Sequence, residues 1–326
     1  MTQPTQPTQR NLPGLAGHPS PAAWQTRHAI GVHCEGLVHI YRLDGNDVVA
    51  LRGVDLDVDA GERVALLGPS GSGKSSLLNL MAGLLRPSAG VLRVGSIDVG
   101  RVSERELLQM RATSVSVVAQ SAGRNLLPYA SGEDNLHFAQ RALNRPRRRQ
   151  VPTPRELLGT LGLAHLRQER VLSMSGGEQQ RLAIAAALST GPGLLLADEP
   201  TSQVDHDSRD DVLDMLVSVN EQFGSTVVVV THDPSVGEAM GRTISMRDGR
   251  IGAEGRHGAT YAVVGADGTV QLPTDVLDLL PPGTLATLRR AESGIELTNP
   301  ELAGPESVGQ DRGEPGPVRD DRAGGT

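Results

Sequence analysis

Apolar residues along the chain follow two rhythms. Short apolar runs bounded by turn residues, GLVHIY (36–41) and RVALLG (63–68), predict strands. LLLAD (194–198) and TVVVVTH (226–232) are apolar without alternation, which predicts strands covered on both faces. Between these runs the spacing is helical. Leu77, Leu78, Met81 and Leu85 share one face of a helix over 75–85. Thr153-Pro154-Arg155-Glu156 supplies the N-cap, N1 proline and N3 glutamate of a capping box. The pattern is mostly helical from about 131 to 190, and TISMRDGRI (243–251) reads as a hairpin with an Asp-Gly turn. Strands alternating with helices predict an α/β fold over residues 29–255, with a helical subdomain over about 121–180.

Beyond residue 256 the pattern changes. TYAVV and TVQLP flank a GADG turn, Thr274 caps a short helix DVLDLL, PPG ends it, and LATLRR pairs with GIELT. This predicts a small ββαββ unit over 256–300, near the size below which a unit seldom folds unaided, so it is expected to dock or dimerise. Residues 1–28, with repeated TQP, and the acidic tail 301–326 are expected to be disordered.

Composition narrows the function. The net charge is −7 over 326 residues, without the basic surplus of a nucleic-acid binder, so no nucleic-acid partner is expected. The longest apolar runs are a few residues, far short of the roughly 20 of a membrane span. The polar, Pro-rich start lacks the apolar segment of a secretory signal. Cys34 is the only cysteine, which excludes an intrachain disulfide and fits a reducing cytoplasm. Of the 31 basic residues, Lys74 is the only lysine, so its retention is informative.

Lys74 lies in Gly68-Pro69-Ser70-Gly71-Ser72-Gly73-Lys74-Ser75, a match to G-x-x-x-x-G-K-[ST] between a predicted strand and a predicted helix. The glycines let successive N–H groups turn inward toward phosphate oxygens, and the helix adds its positive end. Lys74 is placed to reach the β- and γ-phosphates and Ser75 to reach Mg²⁺, with Ser76 next in the helix. In LLLADE, Asp198 ends a buried strand where it can hold Mg²⁺, and Glu199 follows it where it can polarise a water. Two adjacent acids there are costly unless they meet a cation.

Val171-Leu172-Ser173-Met174-Ser175-Gly176-Gly177-Glu178-Gln179-Gln180-Arg181 resembles the signature of ATP-binding-cassette (ABC) proteins. With Asp198-Glu199, Ser202-Gln203-Val204-Asp205 and Thr231-His232-Asp233, it follows the phosphate loop in that family's order. The resemblance covers about residues 31–255. It implies a P-loop NTPase of the ABC type, with ATP and Mg²⁺ bound in a head-to-tail homodimer. Ser175, Gly176, Gly177 and Glu178 of one chain would face the γ-phosphate held by the other. It also implies Glu199 as general base, His232 as the switch on the γ-phosphate, Gln120 near Mg²⁺ and the water, Asp205 as a link between sites, and Tyr41 stacked on adenine. Met174 stands for the usual leucine, and Ala119 for the aromatic that usually precedes the glutamine.

The wording GPSGSGKSSLLNLMAGL, NLLP (125–128), SGGEQQRLAIA and LLADEPTS is similar to the ATPases of lipoprotein-release and macrolide-export systems. That implies a permease on a separate chain, docking by a short helix near Gln120 and residues 124–137, with this chain on the cytoplasmic face of the inner membrane. Importer ATPases share much of the wording and stay open, as do a soluble, non-transport ABC ATPase and an ATP-controlled regulator. The Arg145, Arg147, Arg148 and Arg149 cluster reads as a solvated loop. The C-terminal unit resembles the swapped hairpin of AbrB-type regulators, but three arginines against five acids over 256–300 disfavour phosphate contacts, and an accessory dimerisation or regulatory role is expected.

Overall fold

The computed structural model describes residues 29–299 apart from Asp44, His257, Gly258, Ala266, Asp267, Pro273, Pro282, Glu292 and Ser293. The two extensions expected to be disordered lie outside the described residues. The chain divides into two compact units, meeting between Gln271 and Leu272.

Two sheets build the first unit. In the smaller, β1 (Val32–Leu43), β2 (Asn46–Val58), β4 (Ala89–Val94) and β5 (Ile97–Asp98) run in the antiparallel order β2-β1-β4-β5. The larger adds β3 (Arg63–Leu67), β6 (Val115–Val118), β7 (Leu194–Asp198), β8 (Thr226–Thr231), β9 (Arg242–Arg247), β10 (Arg250–Arg256) and β11 (Ala259–Ala262) in the order β11-β10-β9-β3-β8-β7-β6. Strands β6, β7, β8, β3 and β9 are parallel to their neighbours in this run. The runs predicted to be covered on both faces are the centre of this sheet: every residue of β8 is buried. Alternate residues feed two cores. Ala65, Leu195, Ala197, Val227 and Val229 face one, while Val64, Leu66, Leu196, Val228 and Val230 face the other.

Helix α1 (Lys74–Met81) follows β3 and buries Leu77, Leu78 and Met81 of the predicted stripe; it ends at Met81, so Leu85, expected on the same face, lies beyond the helix. Helix α2 (Glu104–Thr113) precedes β6. Between β6 and β7 lie α3 (Gly132–Gln140), α4 (Arg145–Arg148), α5 (Pro154–Thr160) and α6 (Gly176–Leu188), with short 3-10 turns at 122–124, 164–166 and 171–173. The capping box at α5 forms as read: Thr153 Oγ1 accepts from the Glu156 N–H, and Glu156 Oε2 accepts from the Thr153 N–H. Helices α7 (His206–Phe223) and α8 (Pro234–Met240) complete the unit. The predicted Asp-Gly turn joins β9 to β10, with Asp248 at φ 51° and Gly249 at φ 75°. The arginine cluster is a one-turn helix capped by Asn144, not a loop; Arg148 folds back to donate to the Gln140 and Leu143 carbonyls.

The C-terminal boundary differs from the one read in the sequence. Strand β11, assigned there to the small unit, pairs with β10 from Ala253↔Ala262 to Arg256↔Ala259. The edge of β10 offers an unpaired ladder, and the following segment takes it. The expected first hairpin shrinks to a single bridge, Val264↔Val270. In the second unit, Thr274 opens the short helix α9 (Thr274–Leu277) from within, and β12 (Thr287–Ala291) pairs with β13 (Gly294–Thr298) as expected. Among the described residues no helix is long and apolar enough to cross a membrane.

Candidate functional site

The loop from β3 to α1 turns on glycines, and at Gly68 and Gly73 the packing forbids a side chain. A Cβ on Gly68 would stand 2.2 Å from the Met246 carbonyl oxygen. Lys74 is the first residue of α1 and is buried. Its Nζ donates to the Gly68 and Pro69 carbonyls at 2.7 and 2.9 Å, with the hydroxyl of buried Ser72 at 3.5 Å. The ammonium is therefore held across the loop it must serve. Burial pulls its pKa down, while Glu199 and Asp198 oppose that shift.

Opposite the loop, the end of β7 presents its two acids. Ser75 Oγ donates to Asp198 Oδ1 at 3.2 Å. Glu199 has φ 47°, a left-handed conformation rare for a residue with a side chain and worth about 1–3 kcal/mol of strain. Its N–H donates to the Val230 carbonyl at 2.8 Å, anchoring the strained turn on β8. The Glu199 carboxylate accepts from His232 Nδ1 at 2.9 and 3.0 Å and from the Thr231 hydroxyl at 3.3 Å. A carboxylate only accepts, so this contact assigns the proton to Nδ1.

Tyr41, Val48, Val49, Ala50, Ser70, Gly71, Gly73, Lys74, Ser75, Ser76, Gln120, Asp198 and Glu199 line one cleft of about 410 Å³. Its mouth is apolar on one side because Tyr41 and Val48 are register partners on β1 and β2. The Tyr41 hydroxyl lies 3.1 Å from Ser76 Oγ, which ties this wall to α1. One end of the cleft thus suits a planar apolar group and the other a chain of phosphates. Ser75 and Asp198 offer the hard oxygens that suit Mg²⁺, which keeps few protein ligands when phosphates supply the rest.

Burial raises the Asp198 pKa, and the Glu199 charge adds to it, against the Ser75 hydrogen bond and the Lys74 and Arg124 charges. An acid whose folded pKa is raised binds its proton more tightly in the fold than in the unfolded chain. Its contribution to stability is greatest in acid, falls as pH climbs from the unfolded value through the folded one, and is a full penalty at neutral pH. Asp198→Asn is expected to raise the melting temperature of the nucleotide-free protein at pH 7 by roughly 2 °C and to flatten that part of its pH dependence, while lowering Mg²⁺-dependent ATP hydrolysis. Thermal melts across pH 4–8 beside phosphate-release assays check both; a lower melting temperature at pH 7 contradicts the penalty.

Comparison with known proteins turns this geometry into a family. Over 216 residues the chain is 41% identical to the lipoprotein-releasing system ATP-binding protein LolD 2 of Caulobacter vibrioides, covering 66% of this chain and 94% of that protein. The chain belongs to the ABC transporter ATPase family. The family pattern described as ABC transporter matches residues 51–202. The macrolide export ATP-binding/permease protein MacB of Rhodopirellula baltica is 38% identical over 227 residues, 69% of this chain but 33% of that longer one. A dimeric ATP-binding cassette solved in a post-hydrolysis state with ADP and phosphate superposes with a TM-score of 0.60 at 33% identity, over 69% of this chain and 98% of that one. The fold is the ABC cassette form of the P-loop NTPases, and as an ABC ATPase the chain binds and hydrolyses ATP.

The remaining signature residues of this cassette stand apart from the cleft lining. Ser175 caps α6 in a capping box with Glu178, whose carboxylate accepts from the Ser175 N–H at 2.8 Å; this bond lowers the Glu178 pKa. Asp205 caps α7 by accepting from the Ser208 N–H at 2.9 Å and from its hydroxyl at 3.0 Å. The two helix starts abut: a Cβ on Gly177 would stand 2.5 Å from the Ser208 Cβ. Signature and Asp205 loop therefore form one surface. Sequence reasoning missed Val48, Val49 and Ala50 as cleft lining, since their strand was not read. It also missed the bracing by Asn125, whose side chain joins two backbone groups beside Gln120.

Proposed function

We propose that this chain is the ATP-hydrolysing subunit of an export or mechanotransmission ABC transporter, driving a membrane permease on a separate chain from the cytoplasmic face of the inner membrane. The observation that carries the reading is the Glu199 carboxylate, braced by His232 and Thr231 in the same cleft as Lys74, Ser75 and Asp198. Adenine stacks on Tyr41, and the loop N–H groups and Lys74 grip the phosphates. Ser75, Asp198 and Gln120 would hold Mg²⁺, which would supply Lewis-acid stabilisation of phosphate charge. Glu199 accepts a proton from the attacking water. With its proton on Nδ1, His232 presents its other nitrogen as an acceptor that holds the attacking water beside the γ-phosphate.

Ser175, Gly176 and Gly177 sit at the start of α6, outside the cleft lining. The N–H groups of a helix start favour an anion, so the signature of a second copy completes each site in a head-to-tail dimer. Asp205, packed beside the signature, links the two sites. ATP then holds the dimer closed, and hydrolysis releases it.

A groove of about 330 Å³ between α2, β6, α3 and α6 supports the partner reading. Leu84 and Phe138 on its wall are 55% and 53% exposed, and alanines form its floor. An exposed apolar groove suits an amphipathic helix of a permease loop. MacB carries cassette and permease in one chain by its own description. The test is co-purification of tagged Glu199→Gln protein with ATP from native membranes, with partners identified by mass spectrometry. A polytopic membrane protein is expected; recovery of soluble partners alone overturns the transport reading.

A further inference from the structure

The chain leaves β6 at Val118 and reaches Gln120 two residues later. Strand β6 is the last in its sheet, with β7 on one side only. Along an extended strand, the carbonyl of one residue and the N–H of the second residue after it point to the same edge. Asn125 occupies that edge. Its Nδ2 donates to the Val117 carbonyl at 2.8 Å, and its Oδ1 accepts from the Ala119 N–H at 2.8 Å. The carboxamide acts as one further rung of the ladder, pinning the backbone on both sides of Val118.

This rung has its own anchor. The 3-10 turn at 122–124 brings the chain back, and Leu127 is tied to buried Asn135, whose Oδ1 accepts from the Leu127 N–H at 2.7 Å. Asn135 Nδ2 in turn donates to the Ser131 carbonyl at 2.9 Å, at the start of α3. The Gln120 side chain is exposed on the wall of the cleft that holds Asp198 and Glu199. Its direction is therefore set by the backbone beneath it, the stretch that Asn125 grips.

We propose that Asn125 is a positioning residue for ATP hydrolysis, its carboxamide holding the 117–119 backbone so that Gln120 faces Asp198 and Glu199. The proposal rests on the reading of Gln120 given above. Asn125 also lines the apolar groove with Asn135 and Phe138, so a segment seated there meets the side chain that aims Gln120.

The experiment is a double-mutant cycle on the full chain with Asn125→Ala and Gln120→Ala, beside Asn125→Asp. The isosteric aspartate fills the same space but replaces the donor to Val117 with a second acceptor. Asn125→Ala is expected to lower kcat about tenfold, the scale of two lost hydrogen bonds, and Asn125→Asp by several-fold, since it keeps the bond from Ala119 but sets an acceptor against the Val117 carbonyl; KM for ATP should change less than about twofold because the Lys74 grip is untouched. In the Gln120→Ala background, Asn125→Ala should lower kcat no further. Amide hydrogen exchange should accelerate across 117–121 in the single variant. Additive losses, or wild-type kcat in Asn125→Asp, overturn the proposal and leave a packing role. Wild-type kcat in Gln120→Ala overturns the role of Gln120 instead, and accelerated exchange in Asn125→Ala would still uphold the brace.

Discussion

Glu199→Gln is expected to keep ATP bound while cutting turnover by about 10²–10⁴-fold, the usual contribution of a positioned general base. The substitution preserves size and an acceptor oxygen, so the turn at φ 47° and the bond from Thr231 are retained. What it removes is the carboxylate proposed to take the proton of the water. The lost charge also frees His232, whose Nδ1 has both carboxylate oxygens within 3.0 Å. Glutamine offers it one acceptor in place of two. The Lys74 grip on the loop carbonyls is unaffected, so affinity for ATP should stay within a few-fold. Phosphate release under single-turnover conditions measures the chemical step, and binding of a fluorescent ATP analogue measures the grip. A residual rate within tenfold of wild type would assign the base elsewhere, and a matching loss of binding would make Glu199 part of the nucleotide grip.

Such a clean separation of grip from chemistry follows from where each piece lies in the chain, and that also explains what the sequence made legible. The phosphate loop is contiguous: strand, glycines, lysine and helix follow one another, so residues 68–76 could be read without knowing the fold. Asp198 was legible because a buried apolar strand ending in two acids has few other uses. The partners that brace these residues come from distant chain. His232 and Thr231 reach Glu199 only because β7 and β8 are neighbours in the sheet. Ser76 on α1 and the Tyr41 hydroxyl on β1 meet across 35 residues of chain.

Four strands were not read in advance, each for a physical reason. Strand β2 carries exposed Val48 and Val49, apolar residues that face the cleft instead of the core and so blur its alternation. Strands β4, β5 and β6 are short, and their apolar positions are too few to outweigh neighbouring turns. Asn125 gave no periodic signal at all: its meaning depends on β6 being a sheet edge. The boundary at 256 was misplaced for a similar reason, since pairing of β11 with β10 is a property of the sheet and not of the local run.

The grip itself is most exposed to substitution at Lys74. Lys74→Ala removes the only lysine of the chain, a buried cation set across the phosphate loop. Two losses combine. The loop carbonyls of Gly68 and Pro69 lose the donor that holds the loop in shape, and the β- and γ-phosphates lose a charge-assisted donor worth about 1.5–3 kcal/mol. Affinity for ATP should fall by roughly 10–100-fold on that scale. Hydrolysis should fall further, because the transition state places added charge on the leaving β-phosphate that a cation here stabilises. Lys74→Arg is expected to rescue neither. The planar guanidinium is wider than an ammonium, and the space it would enter lies between two carbonyls at 2.7 and 2.9 Å and the wall of Ser72. Equilibrium binding of ATP with and without Mg²⁺ separates the two losses. Wild-type affinity in Lys74→Arg would show that charge alone suffices there, and that the narrowness of the loop does not explain why a chain so rich in arginine keeps its one lysine at this position.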